Sequence, residues 1–325
     1  MTAFIIRRLM QAVLIVALMS VIVFFGVNVV GDPVYMLISP DMDQAEIERT
    51  IRNLGLDRPI WEQYFHFLKG VMSGDLGRSF IFGEPALKLI LHHMPATLEL
   101  AFTALFMAVV LGIPLGLYAG LYPDRFLSKG ILAGSILGFS LPTFWVGLML
   151  IMVFAVLLGW LPSTGRGDTA TYFGITSSLF TLDGISHIIL PAFNLALLKI
   201  SLVVRLTRAG AREAMHQDYI KFARAKGLST QRVVLVHLLK NILIPVVTVI
   251  GLEFGSLVAF SVVTESIFAW PGMGKLLIDA ILQLDRPVVV AYLMIIVGFF
   301  VFINLVVDIL YSLLDPRVRL KDQGQ

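Results

Sequence analysis

The sequence predicts an all-α protein that crosses a membrane several times. Of its 325 residues, 58% are hydrophobic and only 14% are charged, whereas soluble domains carry roughly 25% charged residues. Because a soluble fold needs a polar surface, this composition excludes a soluble enzyme. Six apolar segments are each long enough to cross the hydrocarbon layer, which takes about 20 residues, and the backbone inside a bilayer must form helix. A net charge of +3 on this length gives no indication of nucleic-acid binding.

The six predicted spans follow one another along the chain. Their bounds are Leu9–Val30, Thr97–Leu121, Ile131–Leu161, Ile188–Leu206, Ile242–Thr264 and Val288–Leu314. The third is long enough to tilt or break. The first follows two arginines and is longer than a signal-peptide core, and no small-residue cleavage site comes after it, so we expect a retained anchor.

The positions of the basic residues predict the orientation. With the N-terminus inside, most lysines and arginines fall on the inner side, with a dense group between spans four and five. The short outer loops carry only Arg166, Lys275 and Arg286. Since basic loops stay in the cytoplasm, both termini are expected there.

Two outer segments are expected between the spans. The first opens with the turn Gly31-Asp32-Pro33 and continues through an amphipathic stretch, Asp43–Leu54, and an aromatic stretch at helical spacing, Trp61–Met72. These features predict a small extracytoplasmic helical insert on the membrane surface. The second, Pro162–Ser186, is rich in Gly, Thr and Ser, has no strong period and is expected to be a surface loop.

We therefore divide the chain into two parts. Residues 1–96 are expected to form the anchor helix and the outer insert. Residues 97–325 are expected to form the membrane core, with its longest cytoplasmic connection at about 209–241.

This cytoplasmic connection has a helix–glycine–helix pattern. Asp218–Lys226 is a helix-forming run, and Gly227 is the usual left-handed stop. Ser229 and Thr230 offer an N-cap for a second helix, Gln231–Leu239. A soluble partner could grip such a short, stiff element and move the spans at both its ends. The alternative is a basic loop that binds anionic lipid headgroups.

The run ending at Gly227 resembles the cytoplasmic signature of binding-protein-dependent ABC importer permeases, E-A-A-x-x-x-G. It is most similar to the dipeptide/oligopeptide/nickel branch, in which Asp-Tyr-x-x-x-Ala-Arg-Ala-Lys-Gly recurs. Lys221-Phe222-Ala223 stands at the three E-A-A positions, so the glutamate of the general motif is absent. Lys240 replaces the first proline of the general family, although Pro245 suits the position of a later one.

Further matches to that branch run along nearly the whole chain. They are Gly31-Asp32-Pro33, Leu54–Pro59, Gly74–Gly77, Pro245–Thr248, Glu265–Gly274 and Asn304–Asp308. The resemblance implies an importer subunit without chemistry of its own. It would pair with a second, paralogous permease, two ABC ATPase subunits and an extracytoplasmic solute-binding protein. The chain itself would hold no cofactor or metal, since the ATPases use the ATP and magnesium.

The resemblance also implies a docking segment for the ATPase, Glu213–Gly227. The residues expected to carry docking are Glu213, Asp218, Tyr219, Phe222, Ala223, Arg224, Ala225, Lys226 and Gly227. The implied cargo is a di- or oligopeptide, with nickel, glutathione or opine-type solutes as alternatives within the family.

The sequence offers little support for other classes of function. Gly272-Met273-Gly274-Lys275 superficially resembles the end of a phosphate-binding loop, but Ala269 and Leu276 occupy positions that need glycine and Ser or Thr. An ion-gradient transporter would couple through intramembrane carboxylates, of which Glu253 and Asp308 are the deep candidates. An intramembrane enzyme would need a nucleophile–base pair, and none is visible at helical spacing.

Several polar and small residues within the spans are candidates for function or packing. Lys199 and Glu253 are expected to face one interior, as a structural ion pair or as lining of the solute pathway. Asn304 and Asp308 lie one turn apart and could bond a neighbouring helix or a solute, and Glu99 is expected to be interfacial. Small residues repeat at every fourth position, which predicts close helix contacts. They are Gly112, Gly116, Gly120, Gly251, Gly255 and Ala259.

Overall fold

A computed structural model describes residues 2–29, 42–53 and 55–314, and this part of the chain is mostly helical. Five of its helices are long and apolar enough to cross a membrane, or six if one bent pair forms a single span. The prediction of a polytopic helical membrane protein is therefore confirmed. The turn at Gly31-Asp32-Pro33 lies outside the described residues.

The helices are numbered here in chain order. They are α1 (Thr2–Val29), α2 (Gln44–Asn53), α3 (Ile60–Met72), α4 (Ala86–Leu121), α5 (Phe126–Ser140), α6 (Thr143–Leu150), α7 (Leu182–Met215), α8 (Asp218–Ala225), α9 (Thr230–Arg232), α10 (Leu239–Ile267), α11 (Met273–Leu282) and α12 (Arg286–Leu314). Two π-helical stretches continue this pattern: Ile151–Leu157 follows α6, and Val233–Leu238 joins α9 to α10.

The chain forms two compact units. The first comprises Met1–Ala96 and Pro271–Val301, and the second comprises Thr97–Trp270 and Phe302–Gln325. In the first unit, α3 packs on α1, where the Ser20 hydroxyl lies 2.9 Å from that of Tyr64. The rings of Phe24 and Phe67 stack beside this bond with centroids 5.4 Å apart. The helices predicted around 43–54 and 61–72 are thus present as α2 and α3.

The third predicted span breaks in the middle. Helices α5 and α6 meet at an angle of 110°, and the break falls at Leu141 and Pro142. The ring of a proline disfavours helical geometry in the residue before it, and Leu141 is accordingly extended, with ψ 137°. The sequence left open whether this long span tilts or breaks; it breaks, and the proline supplies the physical cause.

The loop before α7 contains a short hairpin, which the sequence did not predict. Strand β1 (Ala170–Tyr172) pairs antiparallel with β2 (Ile175–Ser177). The two turn residues, Phe173 and Gly174, both have positive φ, 53° and 79°. Positive φ at both central positions belongs to the two-residue turns that match the twist of a hairpin. Phenylalanine is an uncommon first residue for such a turn, which is why the pattern gave no indication of it.

A glycine seam holds α4 against α7 in the second unit. A Cβ added to Gly116 would lie 2.6 Å from the carbonyl oxygen of Val204, and one added to Gly120 would lie 2.7 Å from Cβ of Ala211. Gly112 faces Val203 in the same way, at 2.7 Å. The prediction that these small residues permit close helix contact is confirmed, and the contact lies within the chain.

Candidate functional site

Helix α8 ends in a defined stop. The amide of Leu228 donates to the Ala223 carbonyl at 3.3 Å, and that of Gly227 donates to the Arg224 carbonyl at 2.9 Å. These two bonds form a Schellman motif, which needs a left-handed residue at its centre. Gly227 supplies it with φ 74°. The predicted glycine stop is confirmed, and it fixes the length of α8.

One face of α8 is bound to the core of the second unit. Ile220 is fully buried and Ala223 is only 5% exposed. Both belong to a cluster that also takes in residues from α7, from the π-helical stretch and from α10, including Ala211, Leu238 and Val246. Burying a side chain such as isoleucine stabilises this attachment by about 1.5–3 kcal/mol. Helix α8 is therefore fixed to two long helices at once.

The opposite face of α8 is aromatic and basic. Tyr219 is 38% exposed and Phe222 is 62% exposed. The Lys226 ammonium lies 4.5 Å from the centroid of the Phe222 ring, within cation–π range. Such exposed aromatic residues with a basic rim are typical of protein-binding surfaces.

Of the remaining docking candidates, Glu213 lies on α7, Gly227 directly follows α8, and the others lie on α8 or at its end. Glu213, Arg224, Ala225 and Gly227 are exposed. Asp218 is also exposed and accepts a hydrogen bond from Lys221 at 2.9 Å, which lowers the pKa of the Asp218 carboxyl. Ala223 differs, because its methyl group points into the core of this chain. It anchors α8 and does not belong to the exposed surface.

The second half of the connection runs into a membrane helix without a break. The Ser229 hydroxyl accepts from the Arg232 amide at 3.4 Å, at the start of α9. From there the helix continues through the π-helical stretch directly into α10. The separate short helix expected at Gln231–Leu239 is thus the first part of one long helix, which begins after the stop at Gly227 and continues into α10.

Lys199 and Glu253 form an ion pair, which is one of the two arrangements that the sequence left open. The Lys199 ammonium on α7 forms an ion pair with Oε2 of Glu253 on α10 and donates to the Ser256 hydroxyl at 2.8 Å. That hydroxyl also lies 2.9 Å from Oε2 of Glu253. The pair is partly buried, with 13% of the lysine side chain and 29% of the glutamate side chain exposed. It joins two of the three elements that hold α8.

The other pathway candidates lie on α12. Asn304 is half-buried, and the side chain of Asp308 lies outside the described residues. The predicted one-turn spacing on a single helix is present, since α12 runs through both positions.

Glu99, which the sequence predicts to be interfacial, belongs to a buried polar network of the second unit. Its side chain is 5% exposed and forms an ion pair with Arg166, and its Oε1 accepts from the Ser178 amide at 2.8 Å. The Arg166 guanidinium also lies 5.9 Å from the Trp270 ring centroid. This network ties the hairpin loop to α4. The partners are 67 and 79 residues away in sequence, so no local pattern could have identified them.

A second buried carboxylate was missed as a site. Glu265 is fully buried on α10 and accepts hydrogen bonds from Thr97 and Ser261, each at 2.8 Å. Nearby, the Asn194 amide donates to the Thr264 hydroxyl at 3.0 Å. Buried polar groups need such partners, so these bonds fix how α4, α7 and α10 pack at this end. Glu265 opens one of the motifs quoted above, but the motif did not indicate burial.

The fold and the site define a polytopic helical membrane protein, with a glycine seam between α4 and α7, an ion pair between α7 and α10, and a short helix packed against α7 and α10. The sequence profile described as "Binding-protein-dependent transport system inner membrane component" matches residues 112–320. The profile of the N-terminal part of such membrane components matches residues 1–101. The chain belongs to this family of binding-protein-dependent transport system inner membrane components.

Characterised relatives resemble the chain along nearly its full length. The di/tripeptide transport system permease protein DppB of Pseudomonas aeruginosa is 39% identical over 322 residues, covering 91% of this chain and 95% of the relative. The oligopeptide transport system permease protein AppB of Bacillus subtilis is 39% identical over 321 residues, covering 98% and 100%.

A solved structure shares the fold. The inward-facing MetNI methionine ABC transporter matches with a TM-score of 0.53 at 18% identity, covering 70% of this chain and 97% of the transporter chain.

Proposed function

We propose that this chain is the membrane-spanning subunit of an ATP-dependent importer of di- or oligopeptides, and that α8 is its docking element for a partner ATPase. The observation that carries the proposal is the two-sided character of α8. Ile220 and Ala223 bind it to the core, while Tyr219 and Phe222 remain exposed. Relatives named as di/tripeptide and oligopeptide permeases support the choice of cargo.

The mechanism follows from the attachment of α8. Two ATPase subunits bind ATP and magnesium, close on each other and displace the docked helix. Because α8 shares one packed cluster with α7 and α10, both long helices move with it. Packed clusters respond by switching between discrete arrangements rather than by deforming gradually. The spans thereby change the side on which the solute pathway opens, and hydrolysis resets them.

The partners and the orientation belong to the same proposal. A second, paralogous permease completes the pathway, and an extracytoplasmic solute-binding protein delivers the cargo. Both termini and α8 lie in the cytoplasm, where the basic residues concentrate, and α2 and α3 belong to the outer insert of a domain spanning residues 1–96. The membrane is the bacterial inner membrane. The chain holds no cofactor itself.

The ion pair between Lys199 and Glu253 has two candidate roles. We propose that it is structural, because both groups already have partners on facing helices. Its partial exposure also suits the lining of the pathway, where a cation and a carboxylate would bind the two charged termini of a peptide. Asn304 and Asp308 are weaker candidates for the same lining.

Docking is tested by replacing the two exposed aromatic residues on α8 with serine. The double variant Tyr219→Ser/Phe222→Ser should lose the ATPase on co-purification, and ATP-driven uptake of a labelled tripeptide into vesicles should cease. The matched control is Tyr172→Ser/Phe173→Ser, an aromatic pair on the hairpin with exposures of 57% and 104%. This control should retain the ATPase. Retention by both variants would contradict docking at α8.

Cargo and energy source are tested separately. Uptake of labelled tripeptide that requires the binding protein and ATP, and that excess glutathione or nickel does not reduce, supports the proposed cargo. Uptake that persists without ATP and stops when the ion gradient is dissipated would indicate a gradient-driven transporter instead.

A further inference from the structure

Helix α7 carries a second cation within the predicted fourth span. Among the six predicted spans only this one contains lysine or arginine, at Lys199 and Arg205. Lys199 is paired with Glu253. Arg205 is exposed, and in the part of the chain that the structure describes no carboxylate lies within ion-pair distance of its guanidinium, which lies 4.7 Å from the centroid of the Phe139 ring instead. A charged group in a span is costly unless it meets an opposite charge or water, so Arg205 needs a partner that this part of the chain does not supply.

The Arg205 side chain is directed into the membrane. A Cβ added to Gly138, the neighbour of Phe139, would lie 2.9 Å from the Ser201 hydroxyl and 3.2 Å from the Leu197 side chain. Ser201 and Leu197 lie about one and two turns before Arg205 along α7, so the guanidinium points back towards the start of α7. In the proposed orientation the opposite end of α7 is the cytoplasmic one. An arginine that snorkels to that interface would point towards the cytoplasmic end, and Arg205 does not.

The guanidinium lies well inside the hydrocarbon layer. Phe139 is about 20 Å along α5 from its first residue, Phe126, and the hydrocarbon layer is roughly 30 Å thick. The nearby Leu141 and Pro142 form the break between α5 and α6. The cation therefore lies at the point where the third span is interrupted. In many transporters the solute site is built at such interrupted helices.

An apolar groove opens at the same break. It has a volume of about 320 Å³, at the lower end of the range of known ligand pockets. Its wall includes Gly138 on α5, Trp145 and Met149 on α6, and Leu197 on α7, and none of the described residues that line it is charged. Leu197 and Arg205 are two turns apart and so lie on the same side of α7. The groove therefore offers apolar surface to a side chain, with a cation beside it.

We propose that Arg205 binds a carboxylate of the transported solute, while an apolar side chain of the solute occupies the groove. This role rests on the proposed import function and names a contact for its cargo, since in a di- or oligopeptide the carboxylate is the C-terminal one. Lys199 is not available in this way, because Glu253 already pairs with it. A guanidinium binds a carboxylate through two parallel hydrogen bonds. Contact with the face of the Phe139 ring leaves the N–H donors of Arg205 available for these bonds.

The test is photocrosslinking of an alanyl-alanyl tripeptide that ends in p-benzoylphenylalanine, and of its C-terminal amide. Both are added to the permease–ATPase assembly in nanodiscs without the solute-binding protein, so that only the membrane subunits can distinguish the acid from the amide. Benzophenone reacts readily with methionine, and Met149 lines the groove. The acid should label Met149 about tenfold more than the amide does, which is the value of one charge-assisted hydrogen bond.

Variants of Arg205 test which group reads the carboxylate. Arg205→Gln should reduce labelling by the acid to that of the amide, and Arg205→Lys, which keeps the charge, should recover part of the loss. The matched control, Lys129→Gln, removes an exposed cation of α5 and should leave labelling unchanged. Equal labelling by acid and amide in the unmodified chain, or an equal effect of Arg205→Gln and Lys129→Gln, would overturn the proposal. Loss of the second permease from Arg205→Gln on co-purification would also overturn it, by assigning Arg205 to the contact between the two permeases.

Uptake of labelled tripeptide separates the role of Arg205 from the import function itself. With ATP and the binding protein present, Arg205→Gln should still hydrolyse ATP but take up about tenfold less tripeptide. Uptake by the unmodified chain without labelling at Met149 would refute the role of Arg205 and the groove alone. The absence of any ATP-driven uptake would refute both this role and the proposed function.

Discussion

The glycine seam between α4 and α7 gives the sharpest stability prediction. In Gly116→Ala the new methyl group would lie 2.6 Å from the Val204 carbonyl oxygen and 3.0 Å from the Val204 Cα. Because these are backbone atoms, no side chain can rotate away. The helices must separate by about 0.8 Å to restore ordinary contact, and a gap of that size forfeits a quarter to a half of each dispersion contact along the seam. The expected cost is about 1–3 kcal/mol.

A matched control removes the intrinsic effect of the substitution. Alanine favours helix over glycine by about 1 kcal/mol, and this gain applies equally to Gly130→Ala on α5, where an added Cβ meets nothing within 4 Å. Thermal unfolding of the full chain, followed by tryptophan fluorescence, should show Gly116→Ala melting several degrees below Gly130→Ala. If Gly116→Ala melted at or above the control, the close approach of α4 and α7 would be refuted.

The remaining predictions concern the ion pairs and the end of α8. Lys199→Glu and Glu253→Lys should each lower the melting temperature and the rate of uptake. The double variant should restore both the melting temperature and uptake if the pair is structural, but only the melting temperature if the pair lines the pathway. If both single variants were fully active, the pair would have neither role. Glu99→Gln leaves the Arg166 cation buried without its partner and should lower the free energy of unfolding by about 3–5 kcal/mol. The control, Lys88→Gln, breaks an exposed ion pair at 3.2 Å and should lower it by under about 1 kcal/mol. Equal melting temperatures for these two variants would contradict the buried network. Gly227→Ala meets no atom but retains φ 74°, so it should cost about 1 kcal/mol through backbone strain alone. Hydrogen exchange should then be faster at the Leu228 amide, and an unchanged rate would count against the Schellman stop.

The elements that sequence reasoning predicted are those set by local chemistry. The apolar spans, the helical stretches that became α2 and α3, and the stop at Gly227 each depend on neighbouring residues. The pairing of Lys199 with Glu253 was predictable because an ionisable group within a span needs a partner, and few are present.

The elements that sequence reasoning missed depend on distant contacts or on unusual residues. The ion pair and hydrogen bond of Glu99 were not predicted because its partners, Arg166 and Ser178, lie far along the chain. The sequence predicted Ala223 as a docking contact because an alanine in a short helix can be either exposed or buried, and the local pattern does not distinguish the two. The hairpin turn at Phe173-Gly174 was hidden because phenylalanine seldom adopts the left-handed conformation.

The docking role of α8 can be tested most directly by site-specific crosslinking. The chain contains no cysteine, so a single cysteine can be introduced at Phe222 and labelled with a photoreactive maleimide. The same label at Phe173, which is fully exposed on the hairpin, serves as the control. On illumination in the assembled importer, the label at position 222 should form an adduct with the ATPase subunit, and the label at position 173 should not. An ATPase adduct from position 173, or none from position 222 in an importer that still hydrolyses ATP, would contradict the account.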